Sequence, residues 1–190
     1  MKAYVFLADG FEEVEALTTA DIMIRAGIDV KLVKVPGGTD EKCKAVRGSH
    51  NIKVKPDLII GTDVSENELL DGDCVVLPGG MPGTKNLAAS DAVINTIKAY
   101  DKAGKVVAAI CAAPSVLGTN GLLKGRKATC FPGFEDKLEG AERLDTGAVK
   151  DGNIVTGKSM GSAVTFGLKV VETIMGKEAA DKVEKSIYRG

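Results

Sequence analysis

Histidine is nearly missing from this chain: His50 is the single one in 190 residues. Any Cys–His or Ser–His–acid apparatus therefore has one imidazole at most to draw on. The four cysteines, at 43, 74, 111 and 130, include no C-x-x-C pair, and none stands at zinc spacing from His50. An excess of either charge is missing too. The net charge is −1, which removes the broad electrostatic case for nucleic acid or an anionic membrane. No apolar run approaches the ~20 residues of a membrane span. About six apolar residues precede Asp9, too few for a signal peptide. A nicotinamide fingerprint, a P-loop and a metal cluster are all absent from the sequence. The expectation is a cytoplasmic chain with reduced thiols, no cofactor and no metal. Repeats, linkers and low-complexity stretches are also missing, so residues 1–190 read as a single domain.

What is present is an ordinary globular composition, 44% hydrophobic and 27% charged, with 23 glycines that suggest many tight turns. Ala3–Ala8 is a continuous apolar strand. Glu13–Ala26 reads as a helix stopped by Gly27, with Val14, Leu17, Ala20 and Ile24 available for packing. Ile28–Val35 alternates as a strand with one wetter face. This is β-α-β in about 35 residues, which predicts a parallel pair. Ala45–Val46 and Asn51–Val54 suggest a hairpin outside the main sheet. Residues 57–73 look irregular, with a helical turn at Glu66–Leu70. Cys74–Leu77 is a buried strand, Asp91–Ala103 a helix, and Val106–Ile110 a strand buried on both faces. Leu117–Gly125 is mostly turn and Lys127–Phe131 a short strand. Ala148–Lys150 and Asn153–Thr156 pair around Asp151-Gly152. Gly161–Met175 and Lys177–Ser186 are helices. The sum is an open, mostly parallel α/β sheet with helices on both faces.

The organising stretch is KVVAAICAAPSVL, residues 105–117. Cys111 ends a strand, sits among small residues and precedes Pro114, which suits a first helical turn. Small-x-nucleophile-x-small is the pattern of a nucleophile elbow. A thiol at a helix N-terminus is also drawn toward thiolate. Free cysteine is commonly core, so a buried structural thiol fits the local residues as well. The turns at Asp9-Gly10, Gly79-Gly80 and Cys111 all follow strand C-terminal ends, where ligands bind in such folds. Their convergence favours the reactive reading. Gly79-Gly80 and Ala112 can present backbone N–H groups to an oxyanion. Glu12 and Glu13 suit a solvated first helical turn. Glu15, if it faces inward, could be a protonated partner of a Cys111 thiolate.

ADGFEEVEAL, VVLPGGMPGTKNL and AAICAAPSVLG, in this order, resemble the ThiJ/PfpI superfamily, and within it the DJ-one branch of parkinsonism-associated deglycases. The resemblance covers essentially the whole chain. It implies a flavodoxin-like three-layer sandwich and a homodimer. It implies Cys111 as the oxidisable nucleophile, Glu15 as its partner acid, and Gly80 and Ala112 as backbone donors of the pocket. Arg25 matches a basic pocket residue, and His50 falls where near members carry an arginine reaching from the dimer mate. His50 reads most simply as a polar loop residue, and as a cross-dimer pocket residue otherwise. Members often place a histidine beside the cysteine, before a proline; here that position is Phe131, in CFP. Cys111–His–acid catalysis within one subunit is thereby excluded, which weakens a cysteine-protease or glutaminase reading. Cys74 reads as core, Cys43 as an exposed loop thiol, and Cys130 as pointing away from the pocket if Phe131 faces it.

Two functions remain open on these residues. One is an enzyme acting on glyoxal, methylglyoxal or their early glycation adducts through a Cys111 thiolate. The other is a non-enzymatic oxidative-stress sensor or redox chaperone, with Cys111 oxidised to sulfinate.

Overall fold

A computed structural model describes residues 1–37 and 44–188. In chain order its elements are β1 (Lys2–Leu7), α1 (Glu13–Arg25), β2 (Asp29–Lys34), β3 (Val46–Arg47), β4 (Lys53–Val54), β5 (Leu58–Ile59) and β6 (Cys74–Leu77). There follow α2 (Gly83–Ala88), α3 (Asp91–Lys102), β7 (Val106–Ile110), α4 (Pro114–Thr119), β8 (Lys127–Ala128) and β9 (Glu142–Arg143). The chain ends with β10 (Ala148–Asp151), β11 (Ile154–Gly157), α5 (Ala163–Met175) and α6 (Lys177–Ser186).

Seven strands form one sheet in the order β10-β11-β7-β6-β1-β2-β5. Every pair is parallel except the β10–β11 hairpin. The strand period of two splits each central strand between two cores. Tyr4, Phe6, Val75, Leu77, Val107 and Ala109 face the core that Leu87 of α2, Ile97 of α3 and Val116 of α4 complete. Val5, Leu7, Val76, Ala108 and Ile110 face the core closed by Ala16 and Met23 of α1 and Phe166 of α5. The result is the flavodoxin-like three-layer α/β sandwich. Chain order reverses at β1, with β2 on one side and β6 on the other. The C-terminal ends of β1, β6 and β7 therefore open on a switch point, the usual ligand position.

Several local expectations are corrected. Residues 57–73 are not wholly irregular, because β5 adds to the sheet edge through Val33↔Leu58 and Lys34↔Ile59. Lys127–Phe131 is a strand only over its first two residues, which pair in parallel with β9. The turn placed at Leu117 begins later, since α4 runs to Thr119. Helix α1 buries Ala16, Thr19, Ala20, Ile22 and Met23, while Val14, Leu17 and Ile24 remain exposed. Small Ala16 and Ala20 let the helix sit close to the sheet. Gly167 of α5 admits Ile22, whose nearest atom lies 3.1 Å from where a Cβ would be. The β3–β4 hairpin forms as expected, with Val46↔Val54 paired.

Candidate active site

Cys111 is the first residue after β7 and has φ +66°, in the left-handed region that side chains rarely adopt. The strain is held from both sides. The Cys111 N–H donates to the Gly157 carbonyl at 2.9 Å, and the Phe131 N–H donates to the Cys111 carbonyl at 2.8 Å. The side chain is thus thrown off the strand end while remaining half-buried. This is the elbow expected from the small residues around it.

Glu15, on the first turn of α1, is fully buried. Its Oε2 accepts from the Gly79 N–H at 2.8 Å. Its Oε1 is sealed from solvent and has no close directional partner among the described residues. Burial is the main cause that pushes the Glu15 carboxyl up to about 7; interactions with Cys111 and the Gly79 amide oppose it, and the Glu12 charge reinforces it. A neutral carboxyl with its proton beside Cys111 fits that setting better than a carboxylate.

The Cys111 thiol interacts with Glu15 side chain to side chain. The expectation that a helix start draws this thiol toward thiolate meets a stronger opposing effect. Burial first, then the charge and hydrogen bond of an ionised Glu15, push it up to about 12. Helix α4 has only six residues. What favours the sulfur anion is local: the Gly80 and Ala112 amides, both directed at the sulfur. Two groups that each resist ionisation beside the other hold a single proton between them over a wide pH range.

Gly79 joins the two. A Cβ there would lie 2.6 Å from the Cys111 Cβ and 2.8 Å from the Glu15 Oε2. Only a residue without a side chain lets the thiol and carboxyl meet across this strand end. The signal for its importance was the Gly-Gly pair, which also reads as a plain turn.

Glu12 and Glu13 are not the solvated pair expected. Glu13 is 4% exposed. Its Oε1 accepts from the His50 N–H at 2.8 Å, and its Oε2 lies 3.0 Å from His50 Nδ1 and 3.2 Å from Ser49 Oγ. Residues 48–52 thus close over the turn that carries Glu15. His50 itself is exposed, and its imidazole binds carboxylates of its own chain. Ligand atoms of Glu12, Glu13 and His50 lie within 4.8 Å of one another, a spacing a cation could use. These hydrogen bonds already occupy them.

Within one subunit Arg25 is not brought to Cys111. It lies ten residues along α1 from Glu15, about 15 Å of helix axis, and pairs with Asp21 at 2.6 Å. Phe131 is brought next to Cys111 by the peptide hydrogen bond above, with its side chain 43% exposed. Cys130 is buried in the core on the α2–α4 side. It lines a cavity of about 380 Å³ with Arg143, Leu144 and Lys158, a cavity that includes neither Cys111 nor Glu15. It therefore makes a poor resolving thiol for Cys111. Cys74 is fully buried, as expected of a core residue, and burial raises its pKa. Cys43 lies outside the described residues.

With this arrangement in view, the chain matches the DJ-1/PfpI family over residues 1–173. It belongs to that family. It is 35% identical to protein dj-1beta of Drosophila melanogaster over 187 residues, 97% of this chain and 95% of that protein. It is 32% identical to the glutathione-independent glyoxalase DJR-1.2 of Caenorhabditis elegans, over 93% of this chain and 89% of that protein. Among solved structures, Toxoplasma gondii DJ-1 in an oxidized form superposes with a TM-score of 0.86 at 34% identity, covering 98% of this chain and 96% of that one. Among the described residues, no helix is long and apolar enough to cross a membrane.

Proposed function

We propose that this family member is a cysteine-dependent stress-response enzyme that converts glyoxal, methylglyoxal or their early adducts on amines to hydroxy acids. The observation that carries the reading is the strained Cys111 elbow, with a buried Glu15 at the sulfur and two backbone amides directed onto it. Its similarity to a relative named as a glutathione-independent glyoxalase supports the same chemistry.

The geometry suits one proton cycling through Glu15. The Cys111 sulfur adds to the aldehyde carbon and the Glu15 proton passes to the oxygen to give a hemithioacetal; on a hemiaminal adduct the sulfur replaces the amine at that carbon, and the Glu15 proton leaves with the amine. The Glu15 carboxylate then takes the hydrogen from that carbon and returns it to the neighbouring one. The hydroxyl proton passes to the neighbouring oxygen, so the carbonyl shifts onto the sulfur-bearing carbon. Water cleaves the resulting thioester to a 2-hydroxy acid and restores the thiol. The amides of Gly80 and Ala112 stabilise negative charge beside the sulfur.

A second reading rests on the same amides and on the relative solved in an oxidized form. A Cys111 sulfinate could accept hydrogen bonds from both amides and from neutral Glu15, which suits a redox sensor or chaperone. The two readings separate in one assay. Reduced protein with intact Cys111, verified by mass, is given methylglyoxal without glutathione. Lactate formed catalytically, and lost in Cys111→Ser, supports the enzyme; stoichiometric consumption alone supports the sensor.

The working form we propose is a cytoplasmic homodimer. The exposed Val14, Leu17 and Ile24 stripe of α1, with Ile52 exposed as well, supports a second copy as a partner. A monomer near 19.8 kDa by sedimentation equilibrium at micromolar concentration would count against it.

A further inference from the structure

Phe131 occupies a particular place. Its N–H binds the carbonyl of the elbow residue at 2.8 Å, and its own carbonyl accepts from the Phe134 N–H at 3.1 Å. Both peptide groups flanking its Cα are thus committed, so the ring is carried on a fixed backbone. The preceding side chain, Cys130, is buried in the core. The Phe131 side chain, by contrast, is 43% exposed and belongs to neither core cluster. Single exposed apolar residues are common and need no explanation. An aromatic ring anchored one hydrogen bond from a half-buried thiol is a different matter. Such a ring presents an apolar face and carries no proton to give.

We infer that Phe131 is an aromatic wall of the Cys111 site that selects 2-oxoaldehydes bearing an aryl group over glyoxal and methylglyoxal. The inference rests on the carbonyl chemistry proposed above. A methyl group is too small to cover the ring, whereas an aryl substituent removes apolar surface of both partners from water and stacks on it. The aldehyde carbon remains at the sulfur in either case.

The test compares phenylglyoxal with methylglyoxal on wild type, Phe131→Ala and Phe131→Tyr. Wild type is expected to show the higher kcat/KM for phenylglyoxal. Phe131→Ala should lose roughly 3- to 10-fold on phenylglyoxal, chiefly through KM, and change methylglyoxal less than about 2-fold. Phe131→Tyr should restore the preference. Equal losses on both substrates overturn the inference. So does a Phe131→Ala variant that loses activity because it loses its dimer, which would make the ring an interface residue. A second measurement needs no turnover: the rates at which N-phenyl iodoacetamide and iodoacetamide alkylate Cys111, read by intact mass. Their ratio should fall in Phe131→Ala. Ring-dependent alkylation with neither dicarbonyl turned over upholds the wall and refutes the carbonyl reaction. Ring-independent alkylation with turnover intact does the reverse.

Discussion

Gly79→Ala inserts one methyl group between the nucleophile and its acid. The added Cβ would stand 2.6 Å from the Cys111 Cβ, 2.8 Å from the Glu15 Oε2 and 3.0 Å from the Ile110 carbonyl oxygen. Real Cβ contacts do not come that close, so something must move. The Ile110 carbonyl is backbone at the end of a central strand, and Cys111 is tied to Gly157 and Phe131. The carboxyl of Glu15 is the softer partner, and its displacement breaks the 2.8 Å bond from the Gly79 N–H. Overpacking of this kind costs about 1–3 kcal/mol. For a chain of this size that is a fall in Tm of about 2–12 °C. Misplacing a catalytic group by 1 Å costs about 100-fold in rate, so turnover should suffer more than stability. Gly161→Ala is the control: its nearest neighbour would be the Ser159 Oγ at 3.8 Å, and it should alter neither. Thermal melts and methylglyoxal turnover on the three proteins decide the matter. A Gly79→Ala protein with wild-type Tm and wild-type kcat would refute the claim that Cys111 and Glu15 meet across Gly79.

Two further outcomes follow from the same structure. His50 has its pKa raised from 6.5, first by its hydrogen bond to Glu13 and then by the charges of Glu12 and Glu13. Its stabilisation is complete below the unfolded value of 6.5 and is lost as pH rises through the folded value. Burial opposes ionisation of Glu13, but His50 and the His50 and Ile52 amides outweigh it and hold the carboxyl below 4.5. That share of stability is present above 4.5 and lost as pH falls through the folded value. Urea midpoints of wild type should therefore drop relative to those of His50→Gln as pH rises above 6.5; parallel profiles would show that the imidazole does not hold the loop. Under mild peroxide, peptide mass spectrometry should find sulfinate at Cys111 before Cys74 or Cys130, because both of the latter are buried while the Cys111 sulfur is half-exposed and has the Gly80 and Ala112 amides beside it. Earlier oxidation of either would contradict an accessible, activated elbow.

The residues that carry long-range order were legible in the sequence. β1, β6 and β7 are apolar runs bounded by glycine turns, and a strand buried on both faces has few other ways to read. The elbow was legible because close packing demands small neighbours around Cys111. Glu15 was legible only as a conditional, since a carboxyl at helical position three after Glu12 can face in or out. What failed was whatever depends on a distant partner. The edge strand β5 is two residues long and exists through its pairing with Val33 and Lys34. The buried face of α1 was read correctly only at Ala20: Val14, Leu17 and Ile24 point outward, while Ala16, Ile22 and Met23 do the packing beside it. The burial of Glu13 comes from amides of residues 50 and 52, and no local pattern announces them. Arg25 matched a pocket position by resemblance, yet the length of α1 carries it away from Cys111.

The account turns on whether Cys111 and Glu15 share one proton with the sulfur as the anion. Thiolate absorbance near about 240 nm against pH measures this directly. In wild type the signal should rise in a step at or below pH ~7, under the value of about 8.5 for a free thiol. Glu15→Gln keeps a donor at the sulfur and should retain a lowered step. Glu15→Leu removes the donor but keeps the burial, and its step should move above about 8.5. A wild-type protein with no thiolate until well above that value, or a Glu15→Leu variant that titrates with wild type, would contradict the shared proton and the mechanism built on it.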